Sequence, residues 1–231
     1  MNQLLTTGII LRRTDYGEAD RIISLLTPQH GKLSLVAKGV RKVKSKLAGG
    51  IELFSVSQLS YLQPRTGSGL GTLVSARLEK HYDRIVKDID RTMLGYDLIK
   101  QLDKATEDNP EPEYFQLLQQ AFEALNDASI DRKLIKLWFD AQLLRLSGHT
   151  PNLRTDTSGA KLEVGSRYDF SHDDMTFLSR PEGTYSTDEI KFLRLIFNGN
   201  TPEVLAKIGG SETLTQQVGQ LVNFMHQQYA H

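Results

Sequence analysis

A chain of 231 residues with 39% hydrophobic and 24% charged side chains has the composition of a soluble globular protein of one or two domains. The absence of cysteine excludes disulfides, thiol nucleophiles, iron–sulfur clusters and cysteine-based zinc sites. The formal net charge of zero hides an asymmetry. Residues 1–80 carry 12 basic and 5 acidic side chains, net +7, whereas residues 81–231 carry 16 and 23, net −7. This asymmetry predicts an anionic partner for the first part of the chain.

Short apolar runs separated by turn residues fill the first third of the sequence, which is the pattern of antiparallel strands. We expect five strands, near Leu5–Thr14, Ala19–Leu26, Lys32–Lys38, Ile51–Leu62 and Gly71–Leu78. Five strands with no long helix between them fit a small, partly open barrel better than a parallel sheet. The predicted first domain, residues 1–80, is therefore an OB-like β-barrel.

Apolar residues spaced three or four apart follow from His81 onward and predict a second, helical domain over residues 81–231. Beyond the first helical stretch, we expect helices at Pro112–Leu125, Ile130–Leu146, Thr187–Phe197, Pro202–Ile208 and Glu212–Tyr229. The S-x-x-E spacing from Ser186 to Glu189 predicts a capping box at one helix start. An insertion at about residues 149–183 interrupts the bundle, so the fold class is α+β and multidomain.

The most distinctive local feature is the segment from Lys38 to Lys46, which has five basic residues in nine positions. Lys and Arg that neutralise phosphates release condensed counterions, so such a loop favours a polyanion. A solvated basic loop without a ligand is the alternative interpretation. The loop contributes Lys38, Arg41, Lys42, Lys44 and Lys46 to the predicted DNA-binding set, and the rest of the domain adds Arg12, Arg13, Arg21, Lys32 and Arg65. Tyr16, beside a glycine, is the best candidate for base stacking.

No catalytic, metal-ligating or cofactor-binding motif is present in the sequence. The glycine-rich segment from Pro64 to Gly71 lacks the G-x-x-x-x-G-K-[ST] spacing of a phosphate-binding loop. The six histidines are scattered without ligand spacing, and no serine lies in a nucleophile motif. We therefore expect a protein that is not an enzyme, with no cofactor and no metal. No apolar run approaches the ~20 residues of a membrane span, so we expect a cytoplasmic protein.

Several segments resemble the bacterial recombination mediator RecO family in order and spacing. In residues 8–62 they are Gly17-Glu18-Ala19-Asp20-Arg21-Ile22, Leu26-Thr27-Pro28 with Gly31-Lys32, and Ala37-Lys38-Gly39-Val40-Arg41-Lys42 with Ser45-Lys46. Ser147-Gly148-His149-Thr150-Pro151-Asn152-Leu153 is similar to the segment that leads into that family's zinc region. Many members carry two CxxC pairs after it, but Arg154-Thr155-Asp156-Thr157-Ser158-Gly159 has none. We therefore expect a metal-free hairpin, held by packing of Leu162, Val164, Tyr168, Phe170 and Phe177.

The resemblance implies a function in DNA repair and recombination after DNA damage. Its implied activities are binding of single- and double-stranded DNA, annealing of complementary strands and assistance in loading recombinase onto coated strands. Its implied partners are RecR and the acidic C-terminal tail of single-strand-binding protein, with RecF and the recombinase engaged indirectly. A nucleoid-associated location follows from the same role.

One helix of the second domain could hold the acidic tail, because it combines cations with a large aromatic residue. Its candidate partner-binding residues are Arg132, Lys133, Lys136 and Trp138, although a Trp138 that only anchors the core is an alternative interpretation. Two other functions stay open. The protein could be an adaptor that binds partners through both domains without a direct DNA role, or a magnesium-dependent hydrolase of nucleic acid, against which the lack of a carboxylate cluster counts.

Overall fold

The computed structural model describes residues 3–63, 69–106 and 112–229. Contacts divide the chain into two compact units, Met1–Asp127 and Ala128–His231. The first unit combines a five-stranded sheet with two helices, and the second combines helices with a small sheet. The α+β class and the five N-terminal strands predicted from the sequence are confirmed.

The sheet of the first unit closes into a barrel in the order β1-β2-β3-β5-β4. Its strands are β1 (Gln3–Tyr16), β2 (Asp20–Thr27), β3 (Gly31–Ala37), β4 (Ser55–Leu62) and β5 (Gly71–His81). Neighbours pair antiparallel except β3 and β5, which pair in parallel through Leu35 and Val36. Strand β1 is long enough to pair with β4 through its first half and with β2 through its second.

The barrel is filled by side chains that alternate inward along its strands, as the period of two of a β-strand requires. The buried interior consists of Ile10, Ile23, Leu25, Leu35, Ala37, Val40, Ile51, Leu59, Tyr61 and Leu73. At about 1.5–3 kcal/mol for each large apolar side chain removed from water, this cluster is the main stabilising element of the barrel. Val40 belongs to it although it lies in the basic loop, so the loop is anchored in the core.

Two helices, α1 (Ile89–Ala105) and α2 (Pro112–Asn126), belong to the same compact unit as the barrel. The ring of Phe54 lies edge-on to Tyr96 of α1 and to Phe122 of α2, with centroids 5.2 and 5.5 Å apart. Tyr82 also contacts Phe122, at 5.6 Å. The contact-based boundary therefore falls after Asp127, whereas the sequence analysis places one at residue 80.

The first helix starts later than its apolar periodicity indicates. His81 ends β5, a short 3-10 turn covers Ile85–Lys87, and α1 begins at Ile89. The reason is the cap: the Asp88 carboxylate accepts a hydrogen bond from the Arg91 backbone N–H at 3.0 Å, which satisfies a donor at the helix N-terminus.

The second unit contains four helices and a four-stranded sheet among the described residues. The helices are α3 (Arg132–Leu146), α4 (Thr187–Phe197), α5 (Pro202–Leu205) and α6 (Ser211–Tyr229). The strands are β6 (Asn152–Asp156), β7 (Arg167–Ser171), β8 (Thr176–Ser179) and β9 (Tyr185–Ser186), in the order β6-β8-β7-β9. The predicted capping box is confirmed, because Ser186 and Glu189 bond reciprocally at the start of α4.

Aromatic packing holds the small sheet. The buried ring of Phe177 contacts Phe170 and Tyr185, with centroids 5.2 and 5.8 Å apart. Of the residues expected to pack here, Tyr168 and Phe177 are buried, whereas Val164 is 82% exposed. Val164 lies in a turn outside the paired strands, so the prediction that it packs is wrong.

Candidate nucleic-acid interface

The basic loop follows β3 and is held against the turn between β1 and β2. The Gly39 N–H donates to the Asp20 carboxylate at 2.7 Å, and the Arg41 N–H donates to the Ala19 carbonyl at 2.9 Å. Gly39 has φ +65°, a conformation that favours glycine. These contacts and the buried side chain of Val40 fix the first part of the loop to the barrel.

The paired ends of β1 and β2 form a ribbon whose two faces carry different side chains. A β-bulge at Leu11 shifts the register between Ile10 and Arg12. Beyond the bulge, Arg13 pairs with Ile23 and Asp15 pairs with Arg21. Ile23 belongs to the barrel interior, so Arg13, Asp15 and Arg21 continue the inner face of the sheet past the end of the core.

Three arginines, Arg13, Arg21 and Arg41, gather on this inner face, and we call them the barrel-end arginines. The Arg21 Nε atom lies 2.8 Å from one Asp15 oxygen, and the Arg41 Nε atom lies 3.5 Å from the other. Arg13 instead bonds the Glu52 carboxylate at 2.8 Å. The hydrogen bond from Arg21, with the charges of Arg41 and Arg13, holds the pKa of Asp15 below its usual value.

Arg12 and Tyr16 alternate onto the opposite, outer face of the ribbon, where they pair with Ser24 and Asp20. Lys38 directly follows β3 at the end of the same face. All three are exposed, Tyr16 by 54%. We call Arg12, Tyr16 and Lys38 the outer-face set. The structure therefore places the predicted DNA-binding residues of the ribbon on two faces.

The remaining loop cations, Lys42, Lys44 and Lys46, are exposed. Neither these lysines nor the two cations of the outer-face set form an ion pair with any carboxylate in the described part of the chain. Val43, between two of the lysines, is fully exposed. Five cations near one end of the barrel are thus available to an external anion.

Lys32 has a different environment from the other predicted cations. Its Nζ atom donates to the Asp103 carboxylate at 2.9 Å and to the Asp103 carbonyl at 2.7 Å, which ties β3 to α1. Its charge is therefore neutralised within the first unit. Arg65 lies outside the described residues.

The candidate partner-binding residues of the second unit lie on α3. Trp138 is 1% exposed and forms part of the core. Lys136 pairs with Asp140, a buried carboxyl whose pKa is raised by its burial. Lys133 is exposed at the first turn of the helix, whereas Arg132 is partly buried and has an interaction of its own. Any surface contact on α3 thus involves its basic side chains rather than the indole.

Residues 3–63, 69–106 and 112–229 contain no group of three His, Asp or Glu side chains that could hold a metal ion. None of the helices found in these residues is long and apolar enough to cross a membrane.

Two acidic residues that organise the candidate interface, Asp15 and Asp20, are absent from the set predicted from the sequence. Asp20 holds the loop at Gly39, and Asp15 joins two of the barrel-end arginines. A signal was present in the sequence, because the two carboxylates flank the short turn from Tyr16 to Ala19, next to Arg21. Acidic residues repel an anionic ligand, so a search for basic residues does not select Asp15 and Asp20.

Comparison with known proteins assigns both parts of the chain. Residues 1–82 match the family model described as "Recombination protein O N terminal", and residues 86–230 match "Recombination protein O C terminal". A DNA repair protein RecO from Desulfatibacillum aliphaticivorans is 32% identical over 154 residues, which cover 66% of this chain and 60% of that protein. The protein of the same name from Dehalococcoides mccartyi is 35% identical over 150 residues, 64% of this chain and 58% of the relative.

A third relative, the DNA repair protein RecO of Bacillus velezensis, is 36% identical over 147 residues, 63% of this chain and 56% of its own length. The chain thus aligns with less than two thirds of the length of these relatives. The two family models together nevertheless span almost every residue of the sequence. The chain therefore belongs to the recombination protein O family.

Proposed function

We propose that this protein is a mediator of DNA repair and homologous recombination that binds DNA through its barrel and has no catalytic activity. It binds single- and double-stranded DNA, anneals complementary strands and assists recombinase loading onto coated single strands. One observation carries the proposal: five exposed cations without a described carboxylate partner lie at one end of the barrel, beside the exposed Tyr16. Family membership supports it independently.

The barrel itself suits such a ligand. We propose that it is an OB-fold, whose β2–β3 face and β1–β2 loop bind oligonucleotides in proteins of that class. In this chain those elements carry Tyr16, Lys38 and the turn that holds the basic loop. Contacts to phosphate dominate over base stacking, because the described part of the interface offers a single aromatic ring. Binding is therefore only weakly dependent on sequence.

Annealing by such a surface needs no energy source. Cations that neutralise phosphates on two strands lower the repulsion between the strands and release condensed counterions. Base pairing then supplies the driving force. This mechanism requires neither a nucleophile nor a bound metal, which agrees with the proposal that the protein is not an enzyme.

The test is the salt dependence of single-strand binding by Lys42→Ala/Lys44→Ala/Lys46→Ala. Each lost contact should reduce the slope of log K against log salt by about 0.7, so the triple variant should be shallower by about 2. The matched control is Lys87→Ala/Lys100→Ala/Lys104→Ala, which removes three exposed lysines from the helix side of the same unit. The assignment of the basic loop to DNA binding would be contradicted if wild type and the loop variant had equal slopes. It would also be contradicted if the slope fell equally in the loop variant and the control.

We also propose that the second unit binds protein partners. The acidic tail of single-strand-binding protein contacts Arg132, Lys133 and Lys136 on α3, while Trp138 supports the helix from the core. RecR is the second direct partner, and RecF and recombinase are engaged indirectly. A tail peptide should bind more weakly to Lys133→Glu/Lys136→Glu than to wild type, whereas Lys161→Glu/Lys207→Glu should behave as wild type. Retained binding by the α3 variant would remove this assignment.

The small sheet is proposed as the insertion that carries zinc in many relatives and is metal-free here. Phe177 and its aromatic neighbours supply the packing in place of a metal. We propose that the protein acts in the cytoplasm, on the nucleoid.

A further inference from the structure

The ribbon of β1 and β2 is one sheet layer thick, yet it presents cations on both faces. The barrel-end arginines lie on the inner side and the outer-face set on the other, because the bulge at Leu11 reverses the alternation before Arg12 and Arg13. A regular strand would have placed Arg12 on the inner face with Ile10. Each face therefore has its own cations rather than sharing one row.

The inner face is preorganised for phosphate. The Arg21 Nε–H donates to one Asp15 oxygen at 2.8 Å, and the Arg41 Nε atom forms an ion pair with the other at 3.5 Å, so both guanidinium groups lie beside the same carboxylate. The side chains of Arg21 and Arg41 remain 32% and 38% exposed. Bidentate donors fixed in this way suit phosphate oxygens, because less side-chain freedom is lost on binding.

The outer face has a different chemistry that also suits a nucleic acid strand. Arg12 and Lys38 supply charge, and Tyr16 supplies a ring that is half exposed. Thr14, Ser24 and Ser34 lie on the same face by the strand register, and their hydroxyl groups can bond phosphate or sugar. The same register also places Ile22 and Val36 on this face, where they lie between the hydroxyl groups and the turn.

We infer that the barrel end holds two nucleic acid strands at once, one on the inner face at the barrel-end arginines and one on the outer face of the ribbon. This inference rests on the proposed DNA-binding function and specifies how that function brings two strands together. The ribbon keeps the two phosphate chains on opposite sides of a protein layer, each beside its own cations, so their mutual repulsion is reduced. The faces meet at the turn formed by Gly17–Ala19, past which bases of the two strands can pair.

The experiment measures how many strands one chain binds. Oligothymidine of about eight nucleotides, within the site size of one barrel of this kind, is titrated into the full chain at low salt. Half of the oligonucleotide carries a donor dye and half an acceptor, and sedimentation gives the number of chains per particle. Two double variants remove two charges each: Arg21→Gln/Arg41→Gln on the inner face and Arg12→Gln/Lys38→Gln on the outer face.

Wild type should saturate at two strands per chain and show energy transfer between them. Each double variant should saturate at one strand, lose energy transfer and anneal complementary strands more slowly. Saturation of wild type at one strand per chain would overturn the two-strand inference while leaving DNA binding intact, and this measurement depends on no variant. Loss of both strands in one variant with none lost in the other would also overturn it. If wild type bound no strand, the proposed function itself would fail.

Discussion

At the scale of single residues, the contact between Gly95 and Phe54 shows why a glycine lies inside α1. A Cβ atom at Gly95 would lie 2.6 Å from the Phe54 ring. Phe54 cannot move away freely, because it is buried and has φ +54°. Gly95→Ala should therefore destabilise the protein by about 1–3 kcal/mol, the usual cost of overpacking.

Gly219 in α6 provides the matched control for this substitution. Apart from its chain neighbours and the nearby backbone of α6, no atom of the described residues lies within 4 Å of a Cβ built at Gly219, so Gly219→Ala should stabilise by about 0.5–1 kcal/mol through helix propensity. Urea unfolding followed by circular dichroism measures both variants. A Gly95→Ala protein as stable as wild type would contradict the packing argument.

Asp15 partly neutralises the arginines that it positions, so Asp15→Asn tests the balance between these effects. We expect tighter single-strand binding, with a log–log salt slope steeper by about 0.7, equal to one added phosphate contact. Because the pKa of Asp15 is lowered, the wild-type carboxylate stays charged from neutral to mildly acidic pH, and the difference should persist over that range. Glu18→Gln, an exposed change of equal charge in the adjacent turn, should have a smaller effect. Weaker binding by Asp15→Asn would show that positioning outweighs neutralisation.

Most of the exposed basic residues of the candidate interface could be predicted from the sequence, but their division between two faces could not. The density of Lys and Arg identified the basic loop, and Tyr16 next to Gly17 indicated an exposed ring. The two faces depend on the β-bulge, in which Leu11 has no partner on β2. Leu11 is apolar like Ile10 before it, so the sequence does not indicate that Leu11 is the unpaired residue. A bulge is set by the pairing of two strands, and pairing is information that a local pattern does not contain.

At the scale of elements, the bonds of Lys32 to Asp103 link β3 to α1, so we expect Lys32 to contribute to stability rather than to DNA binding. Its two hydrogen bonds to Asp103 are partly shielded, since the lysine and aspartate side chains are 25% and 32% exposed. Lys32→Ala should cost about 1 kcal/mol of stability and leave DNA affinity nearly unchanged. Lys38→Ala, in contrast, should weaken DNA binding without changing stability. Urea unfolding measures the stability of both variants, and a DNA titration measures their affinity. A Lys32→Ala protein with unchanged stability and weaker DNA binding would instead indicate that Lys32 contacts DNA.

Element types were predictable where a single periodicity ran uninterrupted, as in the strands of the barrel and in α3, α4 and α6. The start of α1 was not, because the apolar spacing at Ile85 and Ile89 continues across the 3-10 turn and the cap at Asp88. A capping carboxylate is one of several acidic residues in that stretch. Its role becomes visible only when its hydrogen bond to the Arg91 N–H is known.

At the scale of the whole molecule, charge and contacts divide the chain at different places. The sign of the charge changes near residue 80, where the barrel ends, but the compact unit continues to Asp127. The distribution of charge along the sequence indicates which ligands a surface can bind. The compact units instead reflect which apolar surfaces are buried against one another. A boundary drawn where the charge changes sign therefore separates from the barrel the two helices that pack on it.

This difference predicts how the chain can be divided. A fragment of residues 1–127 keeps Phe54 and Tyr82 covered by Tyr96 and Phe122, so it should fold and bind single-stranded DNA as the full chain does. A fragment of residues 1–82 exposes both buried rings, at about 1.5–3 kcal/mol each, and also loses the bond between Lys32 and Asp103. It should aggregate or unfold at a lower temperature. Circular dichroism melts and DNA titrations of the two fragments decide the matter, since equal stability would mean that the barrel needs neither helix.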